Sequence, residues 1–158
     1  MMVPKASRYL IKLSFLYFLA GGVIGLFILW SKVDTAYNWA WQWFSIHLDY
    51  MLFGWFLQFA LGVAYWILPR YMTKPVRGPE QPVWLGMYML NIGLLAITLG
   101  PFFLRNLNLL FPGRILIAGG ALTLAAVILP RVKPFVLPPE AVAKMAELKR
   151  KKEVNRNP

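Results

Sequence analysis

Long apolar stretches separated by short polar segments dominate the chain. Four of these stretches are long enough to cross a lipid bilayer as α-helices, each of which needs about 20 apolar residues. The predicted spans are approximately residues 9–30, 39–68, 83–103 and 109–129. Because short connections favour neighbouring helices that run in opposite directions, the pattern predicts an all-α membrane protein. We expect an antiparallel four-transmembrane-helix bundle in residues 1–130 and a basic tail in residues 131–158.

Glycines and prolines inside the spans predict where helices pack closely or end. Gly86, Gly93 and Gly100 recur every seven residues, close to two helical turns, so they line one face that should contact a neighbouring helix. Two further glycine clusters predict close helix packing: Gly21, Gly22 and Gly25 in the first span, and Gly119 and Gly120 in the fourth. Pro101 and Pro112 are expected to interrupt the third and fourth spans near their ends.

Composition supports a membrane protein and excludes several chemistries. The chain is 59% hydrophobic and only 15% charged, whereas a soluble domain carries more charge. It has no cysteine, which excludes disulfides, thiolate metal sites and a cysteine nucleophile. The net charge of +11 does not indicate nucleic acid as a partner, because the basic residues lie at the ends of the spans and in the tail.

The basic residues fall mainly on one side of the predicted membrane. Three precede the first span, three lie between the second and third spans, and eight follow residue 130. The opposite side has only Lys32, Arg105 and Arg114. The positive-inside rule therefore predicts cytoplasmic termini in a multi-pass protein of the inner (cytoplasmic) membrane. A cleaved signal peptide is the competing interpretation of the first span, but its apolar core is long and no cleavage site follows.

The tail carries a second, weaker pattern. Val142, Met145 and Leu148 repeat every three residues among lysines and arginines. This spacing gives a thin apolar stripe on a basic helix. We expect an amphipathic helix that lies on anionic membrane lipid, where each basic residue contributes up to about 1 kcal/mol of attraction. A disordered, solvated tail is the alternative.

The second span contains the only histidine, His47, and an aspartate two residues later, Asp49. Ionisable groups at bilayer depth cost on the order of 3 kcal/mol or more, so they usually face a protein interior or a cofactor. On a 3.6-residue period His47 shares its face with Met51, Gly54 and Gln58, and Gly54 leaves space there for a flat group such as haem. Asp49 lies roughly 200° away on the helical wheel, so the pair does not form one metal site.

Other interpretations of these polar residues stay open. His47 can instead hydrogen-bond a neighbouring helix, for example through Asn91. Arg114 is expected to extend to the headgroups, with pairing to Asp49 as the alternative. One histidine and one aspartate are too few for a zinc or di-iron site, and no nucleophile elbow, P-loop or inverted repeat is present. Nothing in the sequence indicates a self-contained enzyme.

The segment HLDYMLFGWFLQFALGVAYWILPR, from His47 to Arg70, resembles the second-helix region of the haem-copper oxidase subunit I superfamily. It is most similar to small, roughly four-span subunit-I-like membrane proteins. These carry a His-x-His-x-x-x-x-Gly-Trp pattern followed by Gly-Val-Ala-Tyr and Leu-Pro-Arg. Asp49 stands where that pattern has its second histidine. The matching residues are His47, Gly54, Trp55, Gly62, Val63, Ala64, Tyr65, Leu68, Pro69 and Arg70.

The resemblance implies that His47 ligates the iron of a b-type haem on the outer side of the membrane, beside Met51, Gly54 and Gln58. The second axial ligand would be a methionine, water, another membrane subunit or His47 of a homodimer mate. The implied function is an electron-transfer or accessory subunit of a respiratory or denitrification complex. A haem-free structural or assembly subunit is the alternative. A third, weaker hypothesis is a protein that conducts protons or small molecules through Asp49.

Overall fold

The computed structural model describes residues 3–68, 79–103, 109–132 and 147–148, and within these ranges all regular structure is helical. The described part contains four helices that are long and apolar enough to span a membrane, as the sequence predicted. The helices are α1 (Lys5–Trp30), α2 (Thr35–Ile67), α3 (Gln81–Phe103) and α4 (Leu110–Ile128), the last followed by one 3₁₀ turn (Leu129–Arg131).

Two of the sequence-based predictions concern residues outside the described ranges. These are the connecting segments at residues 72–78 and 105–108, and the apolar stripe of the tail at Val142 and Met145. Of that stripe the structure describes only Leu148, which is helical and exposed.

Local side-chain chemistry sets the turn between α1 and α2. α1 begins directly after Pro4, and at its other end the Ser31 hydroxyl donates to Ile28 O at 2.7 Å. The Asp34 carboxylate then accepts a hydrogen bond from Ala36 N at 2.9 Å. An aspartate in this N-cap position satisfies a backbone N–H that has no partner within the new helix. The chain therefore reverses within a few residues.

α2 changes its helical geometry along its length. It starts as a 3₁₀-helix (Thr35–Trp43), continues as α-helix (Phe44–Asp49), widens to a π-helix (Tyr50–Leu57) and returns to α-helix (Gln58–Ile67). The sequence predicted one regular helix over residues 39–68, so the span is right and the uniform geometry is wrong. π-Helical turns are rare and frequently lie at functional sites. Here the wide turn contains Gly54, against which α1 packs.

α1 and α2 form one antiparallel pair. At one end the Ser7 hydroxyl donates to Gly62 O at 2.6 Å. Further along α1, Tyr17 packs against Gly54, and the rings of Tyr17 and Tyr50 meet edge to face with centroids 4.9 Å apart. Residues early in α1 contact residues late in α2, and residues later in α1 contact residues earlier in α2. The two helices are therefore antiparallel.

α3 and α4 form the second antiparallel pair, and their backbones nearly touch. A methyl group placed on Gly93 would lie 2.6 Å from Gly113 O, and one placed on Gly120 would lie 2.6 Å from Leu90 N. Gly86, on the same face, would likewise meet Gly120 O at 3.0 Å. The predicted packing of the seven-residue glycine face against a neighbour is therefore confirmed. Only glycine permits backbones to approach this closely.

The prolines of the second pair do not break the helices as the sequence suggested. Pro112 lies in the first turn of α4, where a backbone N–H has no helical partner to lose. Gly113 N, one residue later, already donates to Leu109 O at 2.9 Å. α3 passes Pro101 and extends to Phe103. The interruption predicted at Pro112 is therefore wrong, whereas a kink at Pro101 stays a prediction.

Polar contacts at three depths join the two helix pairs. Arg114 of α4 bonds Asp49 of α2 at 3.2 Å, and Asn91 of α3 donates to Gln58 of α2 at 3.1 Å. Near the other end of the bundle, Arg131 donates to Leu68 O at 2.9 Å. In an apolar medium such polar contacts fix the register between helices, because leaving the groups unpaired is costly.

From Leu13 to Trp30 the outward surface of α1 is almost wholly apolar. Large side chains along it are more than half exposed: Phe15, Leu16, Leu19, Val23, Leu26 and Leu29. A contiguous apolar surface of this extent is not expected on a soluble monomer. It is typical of a helix that faces lipid acyl chains.

Candidate functional site

His47 of α2 is held against the backbone of α1. Its Nδ1 atom lies 2.8 Å from Gly21 O. Because a carbonyl oxygen can only accept, Nδ1 must carry the proton of this hydrogen bond. In the neutral imidazole Nε2 then has the free lone pair, and no described residue forms a hydrogen bond with it. A histidine that donates one ring nitrogen to a backbone carbonyl is oriented as metal-binding histidines usually are.

Gly25 makes room for the His47 ring. A methyl group on Gly25 would lie 2.6 Å from Cε1 and 3.0 Å from Nδ1 of His47, so a larger residue would push the ring away from Gly21. The Phe44 ring also lies near the imidazole, with the centroids 6.5 Å apart and the planes inclined by 26°. The imidazole is half-buried between the two helices.

The predicted face of α2 exists, but α1 covers it. Met51 packs on Gly21, where its Sδ would be 3.0 Å from an added methyl group. At Gly54 the added methyl would lie 2.6 Å from Cγ of Tyr17, so the Tyr17 ring occupies the space that was expected for a flat cofactor. In this structure Tyr17 therefore fills the predicted haem slot at Gly54, and the haem site itself stays a prediction. A tyrosine contributed by another helix could not be located from the sequence of α2.

Gln58 forms the middle of a buried amide network. It is fully buried, and its Nε2 donates to Leu10 O of α1 at 3.2 Å. Its Oε1 accepts from Asn91 Nδ2, which also donates to Met87 O at 2.7 Å. Asn91 therefore pairs with Gln58. The alternative interpretation, in which Asn91 pairs with His47, is wrong. The Asn91 Oδ1 atom is buried and accepts no hydrogen bond from a described residue.

Asp49 faces away from His47, as the helical wheel predicted. It is 5% exposed, and Arg114 of α4 donates to its Oδ2 at 3.2 Å. The same guanidinium nitrogen lies 3.3 Å from Ser45 Oγ. Extension of Arg114 to the headgroups was the favoured prediction and pairing with Asp49 the alternative. The structure shows the pair, because an unpaired buried carboxylate would be costly.

The residues that carry the family resemblance pack against α1 and the end of α4. Gly62 lies beside Leu10 of α1, and the Arg131 guanidinium carbon lies 5.0 Å from the centre of the Tyr65 ring. Arg131 is 1% exposed, although the sequence placed it among the basic residues of the tail. Its position directly at the end of the fourth span is the one sequence signal for this contact. Pro69 and Arg70 lie outside the described residues.

Sequence reasoning missed three residues that define the surroundings of His47. Tyr17, Gly21 and Gly25 all belong to α1, and the glycine cluster was the available signal. It indicated close packing without naming His47 as the partner. Among the residues that the structure describes, no three histidine or acidic side chains form a group that could hold a metal ion. Comparisons with protein-family models, curated proteins and solved structures found no match.

Proposed function

We propose that the chain is an accessory or electron-transfer subunit of a respiratory or denitrification complex and is related to oxidase subunit I. In this proposal His47 offers Nε2 as one axial ligand to a b-type haem. The resemblance to that family rests on His47, Gly54, Trp55 and the segment around Tyr65. When bound, the haem would supply one-electron redox chemistry.

The observation that carries the proposal is the hydrogen bond from His47 Nδ1 to Gly21 O. It fixes the tautomer, so the lone pair is on Nε2, the nitrogen that binds iron. The hydrogen bond also restrains the ring, and the backbone of Gly25 packs closely against it. The protein thus prepares a ligand whose other ring nitrogen is already satisfied.

The filled space at Gly54 decides where such a haem would lie. Because Tyr17 occupies that space, the α1–α2 interface has no slot for a porphyrin beside Gly54. The chain therefore supplies one axial ligand and part of a surface, and a second membrane subunit or a second copy supplies the rest. A dependence on a partner also follows from the chain's single histidine.

Absorption spectroscopy on the protein purified in mild detergent tests the haem assignment. Two preparations are compared, the isolated chain and the complex that copurifies with it. After haem is supplied during expression or by reconstitution, we expect a Soret band in at least one of them. Absence of the band from both preparations would overturn the haem assignment. The His47→Ala variant should lose the band, whereas Asp49→Asn, altered on the opposite side of α2, should keep it.

A haem-free structural or assembly subunit is the second candidate. It is favoured by the contacts of Tyr17 with Gly54 and of Gln58 with Leu10 O and Asn91, because they close the face that a cofactor would use. In that case His47 serves only to join α2 to α1. Full activity of the complex in a His47→Ala variant that assembles normally would favour this candidate over the first.

The proposed orientation has both termini in the cytoplasm and the chain in the inner membrane. Its support is the separation of charges along the helices. Lys5, Arg8 and Lys12 lie at the start of α1, whereas Lys32 follows its other end. The positive-inside rule assigns the end with more basic residues to the cytoplasm. His47, in the other half of the bundle, would then lie on the outer side.

A further inference from the structure

A solvent-open cavity of about 220 Å³ lies at the beginning of α1. Cationic side chains form most of its lining, and all of the lining side chains are exposed. The lining residues are Lys5, Arg8, Tyr9 and Lys12. They are separated by three, four and seven positions, so they share one face over two helical turns. The opposite face of α1, with Ala6, Ser7 and Leu10, is buried against α2. The cationic face is therefore turned away from the helix pair.

The three cations of the cavity have no counter-charge among the residues that the structure describes. None of Lys5, Arg8 and Lys12 forms a salt bridge with a described residue. Glu80, which directly precedes α3, is exposed and forms no ion pair with a described residue. Three like charges within about two helical turns repel one another unless an anion joins them.

The cavity lies at the level of the lipid headgroups when α1 spans the membrane. From Leu13 to Trp30 the helix contains no charged residue, and at about 1.5 Å per residue this run is roughly 27 Å long. The hydrocarbon core of a bilayer is about 30 Å thick, so the charges that precede this run lie at its edge. Tyr9 packs on Trp84 of α3 with ring centroids 5.5 Å apart, as expected of aromatic residues at the interface.

We propose that this cavity binds the phosphate group of an anionic phospholipid. The arginine forks and lysine ammonium groups are the donors that recognise phosphate in proteins. Tyr9, anchored by Trp84, forms one wall and supplies a hydroxyl. The site lies at the opposite end of α1 from the contact between Gly25 and His47, so it is independent of any haem. Soluble inorganic phosphate is the other source of the same chemistry.

Lipid titration of the purified full-length chain tests the site. Dioctanoyl phosphatidylglycerol and dioctanoyl phosphatidylcholine are titrated separately, and binding is followed by microscale thermophoresis. We expect at least a tenfold preference for phosphatidylglycerol. Each basic residue near a membrane surface contributes roughly fivefold in affinity. The triple variant Lys5→Gln/Arg8→Gln/Lys12→Gln should therefore lose the preference to within about twofold.

The segment between the second and third spans provides a control with the same change in charge. Arg70→Gln/Lys74→Gln/Arg77→Gln removes three charges as well, and it should retain the tenfold preference. Arg8→Lys keeps the charge and should bind within about threefold of the wild type. Equal loss in the two triple variants, or equal binding of the two lipids by the wild type, would overturn the proposal. Circular dichroism verifies that the variants are folded.

A competition arm identifies the source of the phosphate. Sodium phosphate at millimolar concentration is added to the chain saturated with phosphatidylglycerol. Retention of the lipid assigns the cavity to phospholipid, as proposed. Displacement by phosphate in the wild type supports recognition of the phosphate group and assigns its source to the aqueous phase. Displacement by an equal concentration of sodium chloride would contradict a specific phosphate site.

Discussion

The His47 side chain is positioned by two residues that have no side chain. Gly21 supplies the accepting carbonyl, and Gly25 supplies the space beside Cε1. Both residues belong to α1, so the sequence around His47 does not show these contacts. What α1 contributes is a backbone close enough to accept a hydrogen bond.

Substitution of Gly25 separates this arrangement from general helix packing. Gly25→Ala places a methyl group 2.6 Å from Cε1 of His47, so the ring must move and the bond to Gly21 is lost. We expect a loss of about 1–3 kcal/mol in unfolding free energy, as for overpacked cores. Gly22→Ala is the control, because no atom lies within 4 Å of its added methyl group. Thermal unfolding in detergent measures both, and equal effects would contradict the described position of the ring.

The ion pair between α2 and α4 should respond unequally to loss of its two members. Arg114→Gln leaves a carboxylate that is only 7% exposed without its partner, whereas Asp49→Asn leaves a cation that is 49% exposed. We expect Arg114→Gln to lower the free energy of unfolding by about 1–3 kcal/mol. Loss of a fully buried pair would cost more, because Arg114 is half-exposed. Asp49→Asn should lower the free energy of unfolding by less than Arg114→Gln does. Urea unfolding of both variants and the double variant tests this, since additive effects would indicate no coupling between the residues.

At the scale of the helices, the second pair depends on backbone contact between α3 and α4. The added methyl of Gly120→Ala would meet Leu90 N at 2.6 Å and Gly86 O at 2.7 Å, so the helices must separate. We expect this variant to lose about 1–3 kcal/mol. Gly119→Ala meets only the terminal methyl of Met89, which can rotate away, and it should change stability by less than about 0.5 kcal/mol. Thermal unfolding compares them, and a larger loss for Gly119→Ala would contradict the packing.

The helices themselves were largely predictable from sequence, whereas their geometry and partners were not. Apolar run length predicted four spans, and the interval of seven residues predicted the packing face that includes Gly93, because both patterns are local. The π-helical turn in α2 and the position of Tyr17 depend on how α1 meets α2. Such tertiary contacts leave no periodic signal. Pro112 was misread because a proline in the first helical turn looks like a break.

For the whole molecule, polar residues join two closely packed helix pairs. His47 and Asp49 leave α2 in opposite directions, one toward α1 and the other toward α4. The sequence predicted this divergence from the helical wheel. The sequence could not predict their hydrogen-bond partners, because Gly21 lies 26 residues from His47 and Arg114 lies 65 residues from Asp49.

The proposed orientation across the membrane predicts which end of α1 is accessible from outside. The chain has no cysteine, so single introduced cysteines are labelled without background. In intact spheroplasts an impermeant maleimide should label Lys32→Cys, whereas Lys5→Cys should react only after permeabilisation. Both lysines are exposed, which makes them a matched pair. The reverse labelling pattern would place the termini outside.

Haem titration of the assembled protein tests the proposed role of His47 most directly. Wild type, His47→Ala and Asp49→Asn are purified with their copurifying subunits, and the difference spectrum between reduced and oxidised forms is recorded at each haem concentration. We predict a saturable b-type spectrum for the wild type and for Asp49→Asn, and its loss in His47→Ala. An identical spectrum in all three proteins, or no saturable spectrum in the wild type, would contradict His47 as a haem ligand.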